Sequence, residues 1–329
     1  MRNRILLLLT LMVVTPSWAT QTHKQVVLLL WRGVTDAERG FVDYLSERVN
    51  VEFTYLNADK DIQRLRHHIA HLETLRPDLV YTFGTTVTRE LLGTSLQPTE
   101  FRSRHLAPVV FSVVSDPLGS GLISSDPDEA RPFTGVSHIV PHKVQLNAIS
   151  RLSHVKSLGV VFNPQENNSV ITANKIHLLA HKFGLDVHLY PFALVQNKVD
   201  LNSLNSIIKT MQHDHVDLAY LPPDSYVISN GKPIVDALHH AGLLTFSATE
   251  SPIRNHDALM GIVSRYYNVG QFAAHKAELI LHGQQTAEQI PIEALSQYSY
   301  IVNIRAAKQL NYFPPVSILK ISELIGTEQ

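Results

Sequence analysis

The chain has no cysteine among its 329 residues. No disulfide framework can form, and no thiol is available to carry a lipid at an N-terminal cleavage point. A basic excess is also missing: 28 Lys and Arg against 29 Asp and Glu leave a net charge of −1. A surface of that kind does not neutralise phosphates, so nucleic acid is excluded as an expected partner. After residue 14, no apolar run approaches the roughly 20 residues that a membrane-spanning helix needs. Catalytic signatures are missing too. There is no G-x-S-x-G, no P-loop and no G-x-G-x-x-G. Ser115-Asp116 has neither a nucleophile elbow nor a positioned base, so no hydrolase triad is expected there.

What is present begins with a leader. Arg2 and Arg4 form a positive segment, Ile5–Val14 an apolar core, Pro16 a break, and Ser17-Trp18-Ala19 a small-x-small cleavage site. That order is the pattern of an export signal. Residues 1–19 are therefore expected to be removed, leaving an unanchored chain from Thr20 in a bacterial periplasm. Trp31 is then its sole tryptophan. The remaining length suits two domains of roughly 150 residues each. A hydrophobic content of 44% is enough to fill both.

From Gln25 onward, short apolar runs alternate with helical segments. Strands are expected at Val26–Leu30, Val51–Leu56, Leu79–Phe83 and Val109–Val114. Helices are expected between them at Thr35–Arg48, Lys60–Leu75 and Thr85–Leu92. The rhythm restarts at Ser157–Phe162 and continues through Val187–Phe192, Asp217–Leu221, Leu243–Ser247 and Leu259–Val263. Helices there are expected at Val170–Phe183, Leu201–His213, Lys232–His240 and Val269–Leu281. Strands separated by helices of this length predict parallel βαβ units. The fold class is therefore α/β, with two doubly wound parallel-sheet lobes, a hinge and an interlobe cleft. Residues 20–140 plus 258–298 are assigned to one lobe, and 141–257 plus 299–329 to the other. Crossings are expected near Pro141, Pro252–Asp257 and Gln297–Ile301.

In open α/β sheets ligands bind beyond the carboxyl ends of the strands. Those ends supply the candidate site: Trp31 and Arg32 after the first strand, Thr85 and Thr86 after the third, and Ser112, Ser115 and Asp116 around the fourth. In the second half they are Asn163, Asn168, Ser169, Asp224 and Ser247. Thr85, Thr86, Asn168 and Ser169 sit where helices begin, and free N–H groups there suit an anion. Asp116 and Asp224 are acceptors for an ammonium or hydroxyl. Trp31 and Tyr226 offer planar faces for stacking, though Trp31 serves equally as an anchor for the first loop. Each polar residue also fits an ordinary cap or turn, and the signal is their recurrence at successive strand ends.

The chain has 18 histidines. His67/His71 and His177/His181 have i, i+4 spacing but no evident third ligand, so no metal site is expected. His213-Asp214-His215 reads as a charged turn. No cofactor is expected.

Several stretches carry a family resemblance: FSVVSDPLGSGL with TGVS, VVFNPQENNS, LAYLPPDSYV, TFSATE, and YYNVGQFAAHKAELILHGQQTAEQIPIE with IVNIRAAKQLNYFPP. Together they resemble the substrate-binding proteins of ABC transporters with the type I periplasmic fold. Within these, the similarity is to the group that includes tryptophan- and other aromatic-amino-acid-binding proteins. The resemblance implies three crossovers, closure on a ligand, and ligand-facing roles for the polar candidates from Thr85 to Ser247. Two departures stand out. WRGVTDAERG replaces a frequent His-Pro pair with a following Asp, and Arg265 precedes Tyr266 where the family often has Asp-Tyr. Both put an arginine at or near the cleft, so an aromatic amino acid does not simply carry over. The expected function is capture of a small polar ligand, an amino acid or related anionic or zwitterionic compound. The expected partner is an inner-membrane ABC permease, with a membrane sensor kinase or cyclase as the alternative. The protein is expected to be a monomer and not an enzyme.

Overall fold

The computed structural model describes residues 23–126 and 131–327; the expected leader lies outside the described residues. The first half runs β1 (Lys24–Leu30), α1 (Asp36–Ser46), β2 (Val51–Asn57), α2 (Ile62–Leu75), β3 (Leu79–Phe83), α3 (Gly84–Leu92), α4 (Glu100–Ser103), β4 (Val109–Val114) and β5 (Phe133–Ser137). Next come α5 (His142–Ile149), β6 (Ser157–Phe162), α6 (Asn167–Ala180), β7 (Asp186–Pro191), β8 (Leu194–Val195), β9 (Lys198–Val199), α7 (Ser203–His213) and β10 (Leu218–Leu221). They are followed by α8 (Ser225–Ser229), α9 (Gly231–His240), β11 (Leu244–Ser247), α10 (Glu250–His256), β12 (Met260–Val263) and α11 (Tyr266–Leu281). β13 (Glu293–Ala294), β14 (Ser299–Asn303), α12 (Ile304–Gln309), α13 (Val316–Leu319) and β15 (Ser322–Ile325) close the order.

Two large sheets result. The first has the order β13-β5-β4-β3-β1-β2 and the second β15-β14-β12-β11-β10-β6-β7. The first is parallel throughout. In the second, β14 runs antiparallel to β12. The inner strands are continuous apolar runs because helices cover both faces of each sheet. Leu79–Phe83 and Val109–Val114 are buried at every position. Leu28, Phe41, Tyr81 and Ala273 pack on one face of the first sheet, and Leu29, Leu65, Val87 and Phe111 on the other.

The expected middle crossing is displaced. Residues 250–256 form α10 on the second sheet, and β12 pairs with β11 and β14 there. Met260–Val263 therefore belongs with the second sheet, not the first lobe assigned to residues 258–298. The chain crosses back at Ser264-Arg265, because β12 completes its pairing before α11 begins. α11 then lies against α1. Gly40 and Gly270 permit this approach, since a methyl at either would collide with backbone of the opposite helix. Among the described residues, no helix is long and apolar enough to cross a membrane.

Candidate ligand-binding cleft

The carboxyl ends of both sheets line one cleft between the lobes. β1 delivers Trp31 and Arg32. Trp31 is half-buried and packs against the apolar residues on both faces of the first sheet. Its carbonyl accepts from Lys60 N at 2.7 Å. Asn57 Oδ1 accepts from Gly33 N at 2.9 Å and fixes the turn that follows. The Arg32 guanidinium lies over the Phe83 ring, 5.1 Å from its centroid. Among the described residues it has no carboxylate partner at ion-pair distance.

β3 turns sharply into α3 at Gly84, whose φ is +78°. α3 starts without a side-chain cap, and Gly84, Thr85 and Thr86 face the cleft. β4 ends in a bulge. The register shifts between Ser112 and Val114, and Val113 adopts φ +60°. A β-branched residue in the left-handed region costs about 1–3 kcal/mol, and such strain persists only where surrounding packing enforces it. Here the bulge turns Val113 into the cleft and brings Ser115 N within 3.4 Å of Thr85 Oγ1.

β5 hands the chain to His138, which is 2% exposed and lines the cleft. Neither ring nitrogen has a hydrogen-bond partner. The ring stands edge-on to Tyr266 with centroids 5.5 Å apart, and Tyr266 is edge-on to Phe83 at 6.3 Å. Burial, with Arg32 adding to it, pulls the His138 pKa down to about 3, so the ring is neutral. Burial raises the Tyr266 phenol, and the Arg32 guanidinium opposes that rise through its charge and a weak hydrogen bond to the phenol oxygen.

The second lobe's contribution is internally bonded. Asp224 caps α8, accepting from Tyr226 N at 2.9 Å and Val227 N at 3.0 Å through Oδ1. Its Oδ2 accepts from Asn163 N and Ser169 Oγ, both at 2.6 Å. Glu166 stands beside it, accepting from Ser225 N at 2.9 Å and Tyr226 N at 3.1 Å. Burial raises both carboxyl pKa values, and the Asp224 charge raises Glu166 further. Asn168 Nδ2 donates to Pro223 O at 2.5 Å.

The lobes meet across the cleft. Lys175 on α6 forms an ion pair with Asp116 of the first lobe. The space left for a water-sized molecule inside is about 30 Å³. That holds roughly two waters, each needing about 10–15 Å³ on this measure.

Of the sequence candidates, Trp31, Arg32, Thr85, Thr86, Ser115, Asn168 and Asp224 line this space. Five others do not. Ser112 is fully buried within β4 beside Tyr81. Asp116 turns to Lys175 and to Gly119 N, at 2.9 Å from the latter. Asn163 and Ser169 are spent on holding Asp224. Ser247 closes a local turn, donating to Thr249 O at 2.8 Å. Tyr226 packs edge-on to Phe192 instead of stacking in the cleft. Arg265 points away, bonding Ser299 Oγ at 3.1 Å and pairing with Glu323. Among the described residues no group of three metal-binding side chains occurs.

Sequence reasoning missed Phe83, Val113, His138 and Tyr266. His138 carried the clearest available signal, since it directly follows the TGVS strand end. The bulge that exposes Val113 has no signature in an apolar run.

Comparison with known proteins agrees with this architecture. A tyrosine-binding protein of Clostridioides difficile is 23% identical over 282 residues, 84% of this chain and 76% of that protein. A conserved domain protein from Vibrio cholerae superposes with a TM-score of 0.78 at 21% identity, covering 92% of this chain and 99% of the other. An ABC domain from Streptococcus pneumoniae in complex with L-Trp gives 0.76 at 21% identity, covering 91% and 99%. These likenesses establish the fold as the type I periplasmic binding architecture. Residues 31–323 match the family described as ABC transporter substrate binding protein, and the chain belongs to that family.

Proposed function

We propose that the protein captures a small polar ligand in the interlobe cleft and delivers it to an inner-membrane ABC permease. On this reading it acts in the periplasm, as a monomer freed of residues 1–19. The lobes close as rigid bodies about the crossings at 138–141, 264–265 and 295–298, a hinge motion common to two-lobed binding proteins. The observation that carries the reading is the cleft itself, lined from both lobes and bridged by Lys175 and Asp116. Trp31, Arg32, Thr85, Thr86, Ser115 and Asn168 are the proposed ligand contacts. The relatives' names, tyrosine-binding and L-Trp-bound, favour an amino acid or a related anionic or zwitterionic compound. Among the described residues, no titratable pair lining the cleft has the nucleophile–base arrangement of a catalytic site, which favours binding over turnover.

Native mass spectrometry of the purified protein tests this, with denaturation to identify any copurified molecule. A bound small molecule is expected, and small-angle scattering should show compaction when it is restored to stripped protein. A protein that carries nothing, binds nothing in a metabolite screen and never compacts would sink the proposal.

A further inference from the structure

We infer that the cleft selects an organic acid lacking an α-ammonium group, its carboxylate held between Arg32 and His138 and its apolar body against Phe83 and Tyr266. This rests on the solute-binding reading and narrows its ligand class.

The argument is one of unmatched chemistry. An amino acid presents a carboxylate and an ammonium, and a buried ammonium needs an acceptor, usually a carboxylate. Asp224 is the only carboxylate lining the cavity among the described residues. Four protein donors, two on each oxygen, already occupy it. Glu166, behind it, is held by the N–H groups of Ser225 and Tyr226 and by Asn163 Nδ2 at 3.4 Å. Asp116 is engaged by Lys175. Among the described residues no carboxylate lining the cavity is left for an ammonium, and Arg32 would repel one.

Groups suited to an anion are free. Arg32 has no ion-pair partner among the described residues, and its planar fork matches a carboxylate. His138 is buried with both nitrogens unpaired, a costly state unless something completes it. The Val114 backbone offers the ring a weak hydrogen bond that opposes the effect of burial without overcoming it, and it falls short of full hydrogen-bond geometry. One neutral imidazole N–H can donate to the acid. The uncapped start of α3 adds backbone donors on the same lobe. Phe83, Val113, Ile228 and Tyr266 surround these groups, so the rest of the ligand is apolar or aromatic.

Matched pairs that differ only in the ammonium provide the test. Calorimetry would compare L-phenylalanine with 3-phenylpropionate, L-tyrosine with 3-(4-hydroxyphenyl)propionate, and L-tryptophan with indole-3-propionate. At least one acid should bind, and at least tenfold more tightly than its amino acid. Arg32→Gln should remove that preference, with a cooperative thermal transition confirming that the variant is folded. His138→Asp should weaken the acid more than tenfold by neutralising Arg32. If the amino acids bind as tightly or more tightly, the inference is overturned and the solute-binding reading stands. Should none of the six bind, the inference is also overturned, and the copurified molecule in native mass spectrometry decides the solute-binding reading separately.

Discussion

The two lobes meet the cleft with opposite states of bonding. The first presents unfinished groups: among the described residues Arg32 lacks an ion-pair partner, His138 lacks a full hydrogen bond on either ring nitrogen, and Val113 is strained. The second presents mostly finished ones, with Asp224, Glu166, Asn163 and Ser169 bonded among themselves. Unfinished donors gain by meeting a ligand, while finished ones gain nothing further. The difference assigns recognition to the first lobe and a rigid closing surface to the second.

The sharpest way to break this comparison is to exchange the consequences of two charged residues. Asp224→Ala strands four buried donors and should cost about 2–5 kcal/mol of stability, as loss of a buried charged partner does. Arg32→Gln, by contrast, should cost no more than about 1 kcal/mol, since it breaks no ion pair among the described residues and loses only the contacts with Phe83 and Tyr266. Urea denaturation checks both. A stable Asp224→Ala protein would mean that the second lobe is not a finished surface.

Acid should expose the same asymmetry. Burial holds the folded His138 pKa down at about 3, well below the ordinary imidazole value of about 6.5. Its neutral burial is therefore fully favourable above pH 6.5, and that contribution is lost as pH falls toward 3. At pH 5 the loss is about 2 kcal/mol. Glu166 and Asp224 in the second lobe have raised values and act in the opposite sense. A differential measurement isolates the first lobe: between pH 7 and pH 5, His138→Gln should lose about 2 kcal/mol less than the parent. Equal losses would place His138 in contact with water or a proton-accepting partner.

The contact between lobes is weaker. Lys175 and Asp116 are partly exposed, and such pairs contribute about 0–1 kcal/mol. Asp116→Asn should shift the ligand-free equilibrium toward the open form by up to about fivefold. Scattering of the ligand-free protein should then give a larger radius of gyration. An unchanged radius would show that closure does not depend on this pair. The smallest effect is optical. In protein starting at Thr20, Trp31 is the only tryptophan. A saturating ligand should shift its emission by a few nanometres, on the order expected when a half-buried indole loses water. An unmoved spectrum would leave Trp31 as the loop anchor alone.

Much of this was legible in the chain order. Apolar runs such as Leu79–Phe83 mark strands buried on both faces, and their ends carry the cleft residues Trp31, Arg32, Thr85 and Asp224. The displaced crossing at Ser264-Arg265 was not legible. Met260–Val263 is equally apolar in either lobe, and only pairing with β11 and β14 decides its sheet. The same holds for the polar candidates. Asn163, Ser169 and Asp224 are all hydrogen-bonding residues at strand ends, and nothing local shows that they bond to one another across 55 or 61 positions. The sequence by itself determined the α/β rhythm and the strand ends where a ligand would sit, because periodicity and burial are local properties. Only the tertiary structure decided which polar groups are spent and which remain free, because satisfying a hydrogen bond depends on partners that folding brings from distant segments.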